Sequence, residues 1–334
     1  MNGMCSISSE IIVSTQTPAE PLPTGKVDPD APVCIEGEIE FAPVIPQVWL
    51  LLDRSGSMSG TLTGKTRWDA LGNVLLGDPL VPEDVGVVGQ FEGKVAFSAA
   101  FYTTGSGVNG CSLSLESVAL ATDNYANIRR RYNKLRPAGG TPTAPSIAAI
   151  VATAQTVDLT GGPKILVLAT DGAPGTCGPS ESGSAQTDVE TEVAYAFAKK
   201  ISTFAISITS SVGAAHMQRV ANLGVGLAAD TETPAPYYTA ESQDALREAF
   251  DTIISEVPRS CVFELNGDVD LNGADAGTVK IAGQELAYKS TDGWRLKARN
   301  QVEFVGASCT QVQAGEEDIV INFPCSVFKP DVVK

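Results

Sequence analysis

The sequence predicts a doubly wound α/β domain with a mostly parallel sheet, together with a second, small all-β domain. Apolar runs that end abruptly in polar residues, at 48–53 and 164–171, are typical of strands buried on both faces of a parallel sheet. Stretches with apolar residues at helical spacing alternate with such strands as far as Val257. Beyond Pro258 the pattern changes to short β-like pieces, which indicates a separate β domain.

These patterns divide the 334 residues into four segments. Residues 1–32 combine prolines with polar residues, the composition of a disordered tether. Residues 33–43 alternate apolar and acidic side chains, as a half-buried strand does. Residues 44–258 carry the α/β alternation, and residues 259–334 form the small β domain with its disulfides.

Each element of the α/β region has its own periodicity signal. The expected strands lie at 48–53, 94–103, 115–119, 164–170, 204–208 and 237–238. The expected helices lie at 68–75, 125–135, 147–154, 189–197, 216–223 and 241–257, where Pro258 ends the last one. In the C-terminal domain, short strands are expected at 261–265, 279–282, 285–288, 301–305 and 318–323.

Charge and cysteine content exclude several classes of function. The formal net charge of -16 argues against nucleic acid or an anionic lipid surface as a partner and favours attraction of cations. No apolar run is long enough to span a bilayer. Seven cysteines, a single histidine and no Cys-x-x-Cys pair favour disulfides over a zinc cluster. We therefore expect an extracellular or periplasmic location at the cell envelope.

No targeting segment is visible at the start of the sequence, because the first twenty residues offer only Ile11-Ile12-Val13 as an apolar core. Cys5 leaves a lipid anchor open, although the preceding Asn2-Gly3-Met4 is a poor match to the Leu-rich context of such sites. A membrane contact is expected only through a lipid at Cys5.

A metal site is predicted at the tip of the first central strand. Asp53-x-Ser55-x-Ser57 places hard oxygen ligands on a turn, a donor set that suits Mg²⁺, Mn²⁺ or Ca²⁺. Right-handed crossovers bring the carboxyl ends of parallel strands to one edge, so Asp171 belongs to the same edge and the loop with Thr141 can join it. The alternative is a serine that caps the next helix.

Two other motifs are interpreted as turns. The segment 60–66 resembles a phosphate-binding loop, but its first glycine is one residue too close to the Gly-Lys-Thr. Asp268-x-Asp270-x-Asn272-Gly273 imitates a calcium loop, but its twelfth position is Val279 and not an acid. Neither motif therefore adds a ligand site to the one at Asp53.

Together, the residues at this edge resemble the metal-ion-dependent adhesion site (MIDAS) of von Willebrand factor type A (vWA) domains, a Rossmann-like fold. The shared features are Asp53-x-Ser55-x-Ser57 after an apolar strand, Thr141 in a Gly-Gly-Thr loop and Asp171 in a Thr-Asp-Gly turn. The resemblance covers about residues 44–258. The segment 171–177 is similar to the version in bacterial cell-envelope members.

The resemblance implies a role for each residue. Ser55 and Ser57 ligate the cation directly, and Thr141 does so directly or through water. Asp53 and Asp171 act mainly through water or hydrogen bonds. The cation, Mg²⁺ before Mn²⁺ or Ca²⁺, then keeps a positive charge that a Glu or Asp of a partner protein completes. The implied function is metal-dependent protein binding or adhesion at the cell envelope, without catalysis.

The implied fold also suggests how the cysteines pair. Cys111 and Cys177 lie in loops that this fold places at the metal edge, so a bridge between them would brace the rim. Cys34 of the upstream strand then pairs with Cys261 of the C-terminal domain, and Cys309 pairs with Cys325 across neighbouring strands of that domain. With this pairing, the upstream strand at 33–43 joins the C-terminal β domain, and the vWA domain is inserted into that domain.

Two alternative functions remain. In the first, the chain is a structural envelope protein whose metal only fixes loops. In the second, it is a serine hydrolase with Ser55 or Ser57 as nucleophile, His216 as base and Asp171 as the group that orients the base. The sequence has no Gly-x-Ser-x-Gly elbow around either serine, which disfavours the hydrolase.

Overall fold

The computed structural model describes residues 41–43, 45–105, 112–159, 162–175, 185–209, 213–255, 260–314, 319–324 and 326–330. They belong to two compact units, a larger one at Ile45–Pro258 and a smaller one made of the segments before and after it. The expected tether at 1–32 and residues 33–40 of the upstream strand lie outside the described residues. No helix in the described ranges is long and apolar enough to cross a membrane.

Strands and helices are numbered along the chain. The strands are β1 (Phe41–Pro43), β2 (Gln47–Asp53), β3 (Thr61–Leu62), β4 (Lys65–Thr66), β5 (Ala96–Thr104), β6 (Leu113–Ala121), β7 (Lys164–Thr170), β8 (Ile201–Ser207), β9 (Tyr238–Thr239), β10 (Val262–Leu265), β11 (Gly267–Val269), β12 (Thr278–Ile281), β13 (Gln284–Leu286), β14 (Trp294–Ala298), β15 (Gln301–Phe304), β16 (Ile319–Asn322) and β17 (Phe328–Pro330). The helices are α1 (Arg67–Leu76), α2 (Gly86–Phe91), α3 (Tyr125–Tyr132), α4 (Thr143–Thr156), α5 (Ala185–Ala198), α6 (Ala214–Gly224), α7 (Gln243–Ser255) and α8 (Ala307–Ala314).

The larger unit is built on a six-stranded sheet in the order β6-β5-β2-β7-β8-β9. Neighbouring strands run parallel, except for the antiparallel pair of β5 and β6. Strand β2 has a partner on each side and every one of its residues is buried. This explains why its sequence is a continuous apolar run and not an alternating one. The expected mostly parallel α/β sheet is confirmed.

Successive residues of β2 point to opposite faces of the sheet and enter two separate cores. Leu50 and Leu52 pack with residues of α1 and α7 on one face. Trp49 and Leu51 pack with residues of α4, α5 and α6 on the other. Helices therefore cover both faces, and the sheet presents only its edges and strand ends to the loops that carry polar residues.

The segment that resembles a phosphate-binding loop forms a short hairpin. Strands β3 and β4 pair antiparallel, with Thr61 opposite Thr66. Thr63 and Gly64 at the turn both have positive φ angles, as tight hairpin turns require. The side chain of Thr66 then caps α1 by accepting a hydrogen bond from the Asp69 N–H at 3.0 Å.

The smaller unit contains antiparallel sheets around an aromatic core. One sheet has the order β1-β10-β15-β14, and a second has the order β13-β12-β16. Strand β1 pairs with β10, which brings Phe41 opposite Leu265. Trp294 and Phe304 are fully buried in the core of this unit. The unit also contains a helix, α8, that the sequence analysis did not predict.

The disulfide of this unit corrects two predicted pairings. Cys261 is bonded to Cys309, with a Cα–Cα distance of 5.3 Å, so the pairs Cys34–Cys261 and Cys309–Cys325 are wrong. The reason is local: the Phe304 N–H donates to the Cys261 carbonyl at 2.8 Å, and α8 begins shortly after Phe304. The first turn of α8 therefore returns Cys309 to the start of β10. Cys34 and Cys325 lie outside the described residues.

Replacement of both Cys261 and Cys309 by serine is expected to destabilise the smaller unit by about 2–4 kcal/mol. The bond closes a loop with a sequence separation of 48, and breaking it returns that conformational entropy to the unfolded chain. Hydrogen exchange measured at increasing urea concentrations should show that peptides of β10 and β15 lose their protection at a lower urea concentration than in the wild type. Peptides of β2 are the internal control. Unchanged exchange in β10 would contradict this role of the bond.

Candidate metal site

The topology brings the predicted ligands to one edge of the larger sheet. Asp53 ends β2, and Asp171 directly follows β7, the parallel neighbour of β2. Because Leu52 lies opposite Ala169 in this pair, the two carboxylates emerge at similar heights. The loop that carries Thr141 is attached through its backbone. The Gly56 N–H donates to the Gly139 carbonyl at 2.9 Å, and the Gly175 N–H donates to the Thr141 carbonyl at 2.8 Å.

Asp53 forms the buried base of the site. Its Oδ1 accepts a hydrogen bond from the Ser55 N–H at 2.7 Å, and its Oδ2 accepts one from the Thr170 hydroxyl at 2.7 Å. Burial raises the pKa of Asp53 to about 6, although these hydrogen bonds act to lower it. A cation in front of the carboxylate would favour its charged form.

Ser55, Ser57 and Asp171 form a chain of close oxygen atoms. The two Oγ atoms are 2.9 Å apart, and the Ser57 hydroxyl donates to Asp171 Oδ1 at 2.7 Å. Adjacent ligands of an octahedral Mg²⁺, each about 2.0–2.1 Å from the ion, lie roughly 2.9 Å apart. The observed separations therefore fit neighbouring ligand positions. Ser55 is buried, whereas Ser57 is exposed, so the site opens to solvent at Ser57.

The donor set is mainly neutral. Among the described residues, no group of three or more His, Cys, Asp or Glu side chains could hold a metal ion. The edge offers instead two carboxylates with two serine hydroxyls between them and Thr141 in the neighbouring loop. Oxygen donors of this kind suit a hard divalent cation and not a soft one.

Sequence reasoning missed two residues of the site, Thr170 and Arg67. Thr170 fixes Asp53 through its hydroxyl, as described above. Arg67 Nη1 donates to Asp171 Oδ2 at 2.6 Å and to the Ser57 carbonyl at 3.3 Å. Thr170 could have been noticed because it precedes the aspartate of the Thr-Asp-Gly turn. Nothing in the local sequence signals that the side chain of Arg67 crosses to the site.

The structure places His216 in a different hydrogen-bond network. Its Nδ1 lies 2.9 Å from Glu190 Oε1, an oxygen that also accepts from Arg219 Nε at 2.9 Å. The side-chain hydroxyls of Ser55 and Ser57 bond to one another and to Asp171. No serine–histidine pair is thus formed among the described residues. Cys111 and Cys177 lie outside those residues, and the rim disulfide between them stays a prediction.

Comparison with known proteins gives distant structural likenesses and no family assignment. No protein-family model matches the chain, and no curated protein matches it. Manganese-loaded TRAP of Plasmodium vivax is 13% identical over 65% of this chain and 76% of that chain, with a TM-score of 0.44. The pilus adhesin SpaC of Lactobacillus rhamnosus GG, in its open conformation, is 14% identical over 84% of this chain, with a TM-score of 0.47.

Proximal thread matrix protein 1 of the mussel byssus, solved with a zinc-occupied MIDAS motif, is 14% identical over 65% of this chain, with a TM-score of 0.41. The aligned regions span 38% of the SpaC chain and 49% of the mussel chain. Each of these likenesses has a TM-score below 0.5, and none assigns a family or an activity to this chain.

Proposed function

We propose that residues 44–258 form a vWA domain whose MIDAS, made by Asp53, Ser55, Ser57, Thr141 and Asp171, binds a divalent cation. Mg²⁺ is the first choice, with Mn²⁺ or Ca²⁺ as alternatives. Through this cation the domain binds a Glu or Asp carboxylate of a partner protein, as an adhesion module and not as an enzyme. The observation that carries the proposal is the row of hydroxyl and carboxylate oxygens at the tips of β2 and β7.

The neutrality of the serines supports a binding role. A cation held by hydroxyls keeps most of its charge, and an incoming carboxylate can neutralise it. The exposure of Ser57 gives such a carboxylate access from solvent. The Cys261–Cys309 disulfide supports an oxidising location, in agreement with a domain displayed at the cell envelope or secreted.

Replacement of Ser57 by alanine is expected to weaken Mn²⁺ binding at least about tenfold, because a direct ligand is lost. Ser57 and Ser59 belong to a short 3₁₀ helix at Gly56–Ser59 and are both exposed, so Ser59→Ala is the matched control. Isothermal titration of the full chain with Mn²⁺ and Mg²⁺ measures both variants. Equal affinities of the two variants would refute the assignment of Ser57 as a ligand.

A second measurement separates adhesion from a structural role of the metal. Glutarate serves as a carboxylate probe, and water proton relaxation reports the water molecules bound to Mn²⁺. If the site binds carboxylates, glutarate displaces one of these water molecules, and EDTA abolishes the effect. If cation binding raises the midpoint of thermal unfolding while glutarate displaces no water, the metal only fixes the loops.

A further inference from the structure

The side chain of Arg67 reaches the candidate metal site at the carboxyl ends of β2 and β7. Arg67 is the first residue of α1, and its backbone N–H donates to the Gly60 carbonyl at 2.8 Å. The guanidinium passes directly over Gly60. A Cβ at that position would lie 3.0 Å from Cζ and 3.2 Å from Nη1 of Arg67. A side chain at Gly60 would therefore press against the guanidinium that reaches Asp171.

The contact between Arg67 and Asp171 is a largely buried ion pair. The side chain of Asp171 is 0% exposed, and that of Arg67 is 22% exposed. The two carboxylate oxygens have different partners, since Oδ1 accepts from Ser57 and Oδ2 accepts from Arg67. If Arg67 moved away, the buried carboxylate of Asp171 would lose its compensating charge, which is unfavourable. The ion pair therefore keeps the guanidinium at the site.

Arg67 changes the charge that a bound cation leaves behind. Counted over the whole site, including carboxylates that do not touch the ion, Asp53 and Asp171 together balance the charge of a divalent cation if Arg67 is left out. With the guanidinium in place, the loaded site carries one net positive charge. Within the described part of the chain, the side-chain hydrogen bonds of Arg67 all come from Nη1, its Nε is buried without a hydrogen-bond partner, and the side chain as a whole is 22% exposed. Guanidinium donors match the geometry of a carboxylate.

We propose that Arg67 is the second cationic group of the ligand site, opposing cation binding by the free protein and strengthening the attraction of a partner's carboxylate to the loaded site. This inference rests on the proposed MIDAS function and deepens it. It predicts that removing the charge of Arg67 changes two affinities in opposite directions. The positive charge repels the metal ion, so its removal strengthens cation binding. The same charge attracts the acidic ligand, so its removal weakens ligand binding. A residue that only positions Asp171 would change both affinities in the same direction.

Arg67→Gln tests the inference in the full chain. The variant is expected to bind Mn²⁺ about tenfold more tightly and, once loaded, to bind glutarate about tenfold more weakly, the scale of a charge effect partly screened by solvent. Arg67→Lys keeps the charge and should bind Mn²⁺ much as the wild type does. Arg130→Gln removes an exposed arginine of α3 and is the matched control, with both affinities unchanged.

Titration with Mn²⁺ and water proton relaxation give the two affinities, and thermal unfolding verifies the fold of each variant. Arg67→Met replaces the Gln variant if the latter does not fold. Mn²⁺ binding by the uncharged variant that is equal to or weaker than that of wild type overturns the inference and leaves the MIDAS assignment intact. A wild-type chain that binds no Mn²⁺ overturns both.

Discussion

Replacement of Asp53 by asparagine is expected to weaken Mn²⁺ binding by roughly 100-fold while the cation-free protein keeps its stability. The change removes the charge at the base of the site but keeps the size of the buried side chain. The carbonyl of the new amide can accept from the Ser55 N–H, as Asp53 Oδ1 does now. The Thr170 hydroxyl can turn to accept from the amide nitrogen, since the Gly172 carbonyl lies 3.3 Å away as an alternative acceptor for its proton.

Titration with Mn²⁺ and urea unfolding in EDTA measure the two halves of this prediction. Asp230→Asn is the control, because it removes one negative charge at a position outside the site. If Asp53→Asn and Asp230→Asn weaken Mn²⁺ binding equally, the effect comes from net charge and not from the site. A large loss of stability in the cation-free Asp53→Asn protein would instead show that the Asp53 carboxylate stabilises the fold.

Replacement of Gly77 by alanine is expected to destabilise the larger unit by about 3 kcal/mol or more. Gly77 ends α1 with a φ of +85°, which a residue with a side chain adopts only under strain. A Cβ at Gly77 would also lie 1.7 Å from the backbone oxygen of Asp84. Asp84 cannot easily retreat, because its carboxylate accepts from the Asp78 and Gly86 N–H groups and from Arg247 of α7.

Gly64→Ala is the comparison at a positive φ without the clash. Gly64 has a nearly identical φ of +86°, but no atom lies within 4 Å of the position that a Cβ would take there. The substitution should cost only about 1–2 kcal/mol, the scale of left-handed strain alone. Urea unfolding of both variants, with hydrogen exchange in peptides of β2, gives the comparison. Equal destabilisation by the two variants would show that the contact with Asp84 does not matter.

The oxygen-rich residues of the site could be selected from sequence because their signals are local. Asp53, Ser55 and Ser57 follow a continuous apolar run, and Asp171 follows another, so each marks the end of a buried strand. The handedness of crossover connections then assigns both strand ends to one edge without any coordinates. The structure agrees, since β2 and β7 are adjacent and parallel.

The residues that sequence reasoning missed depend on where side chains point. The spacing of Trp68 and Leu71 identifies α1 and its buried face, but it says nothing about the direction of the Arg67 side chain. That direction depends on the tertiary contacts of Arg67 with Asp171 and with the Ser57 carbonyl, beside Gly60. The cysteine pairing had the same limit. Cys309 bonds to Cys261 because the first turn of α8 returns to the start of β10. The spacing of the cysteines along the chain does not predict this return.

The sequence by itself determined the mixed α/β fold, the strand ends that carry the oxygen-rich side chains and the change to a β unit after Pro258. Hydrophobic periodicity and residue chemistry act over a few neighbouring positions and can be recognised in the chain alone. Only the tertiary structure decided the partner of Cys261, the anchoring of Asp53 by Thr170 and the ion pair of Arg67 with Asp171. These contacts join residues 48 to 117 positions apart, and packing, not local pattern, brings such residues together.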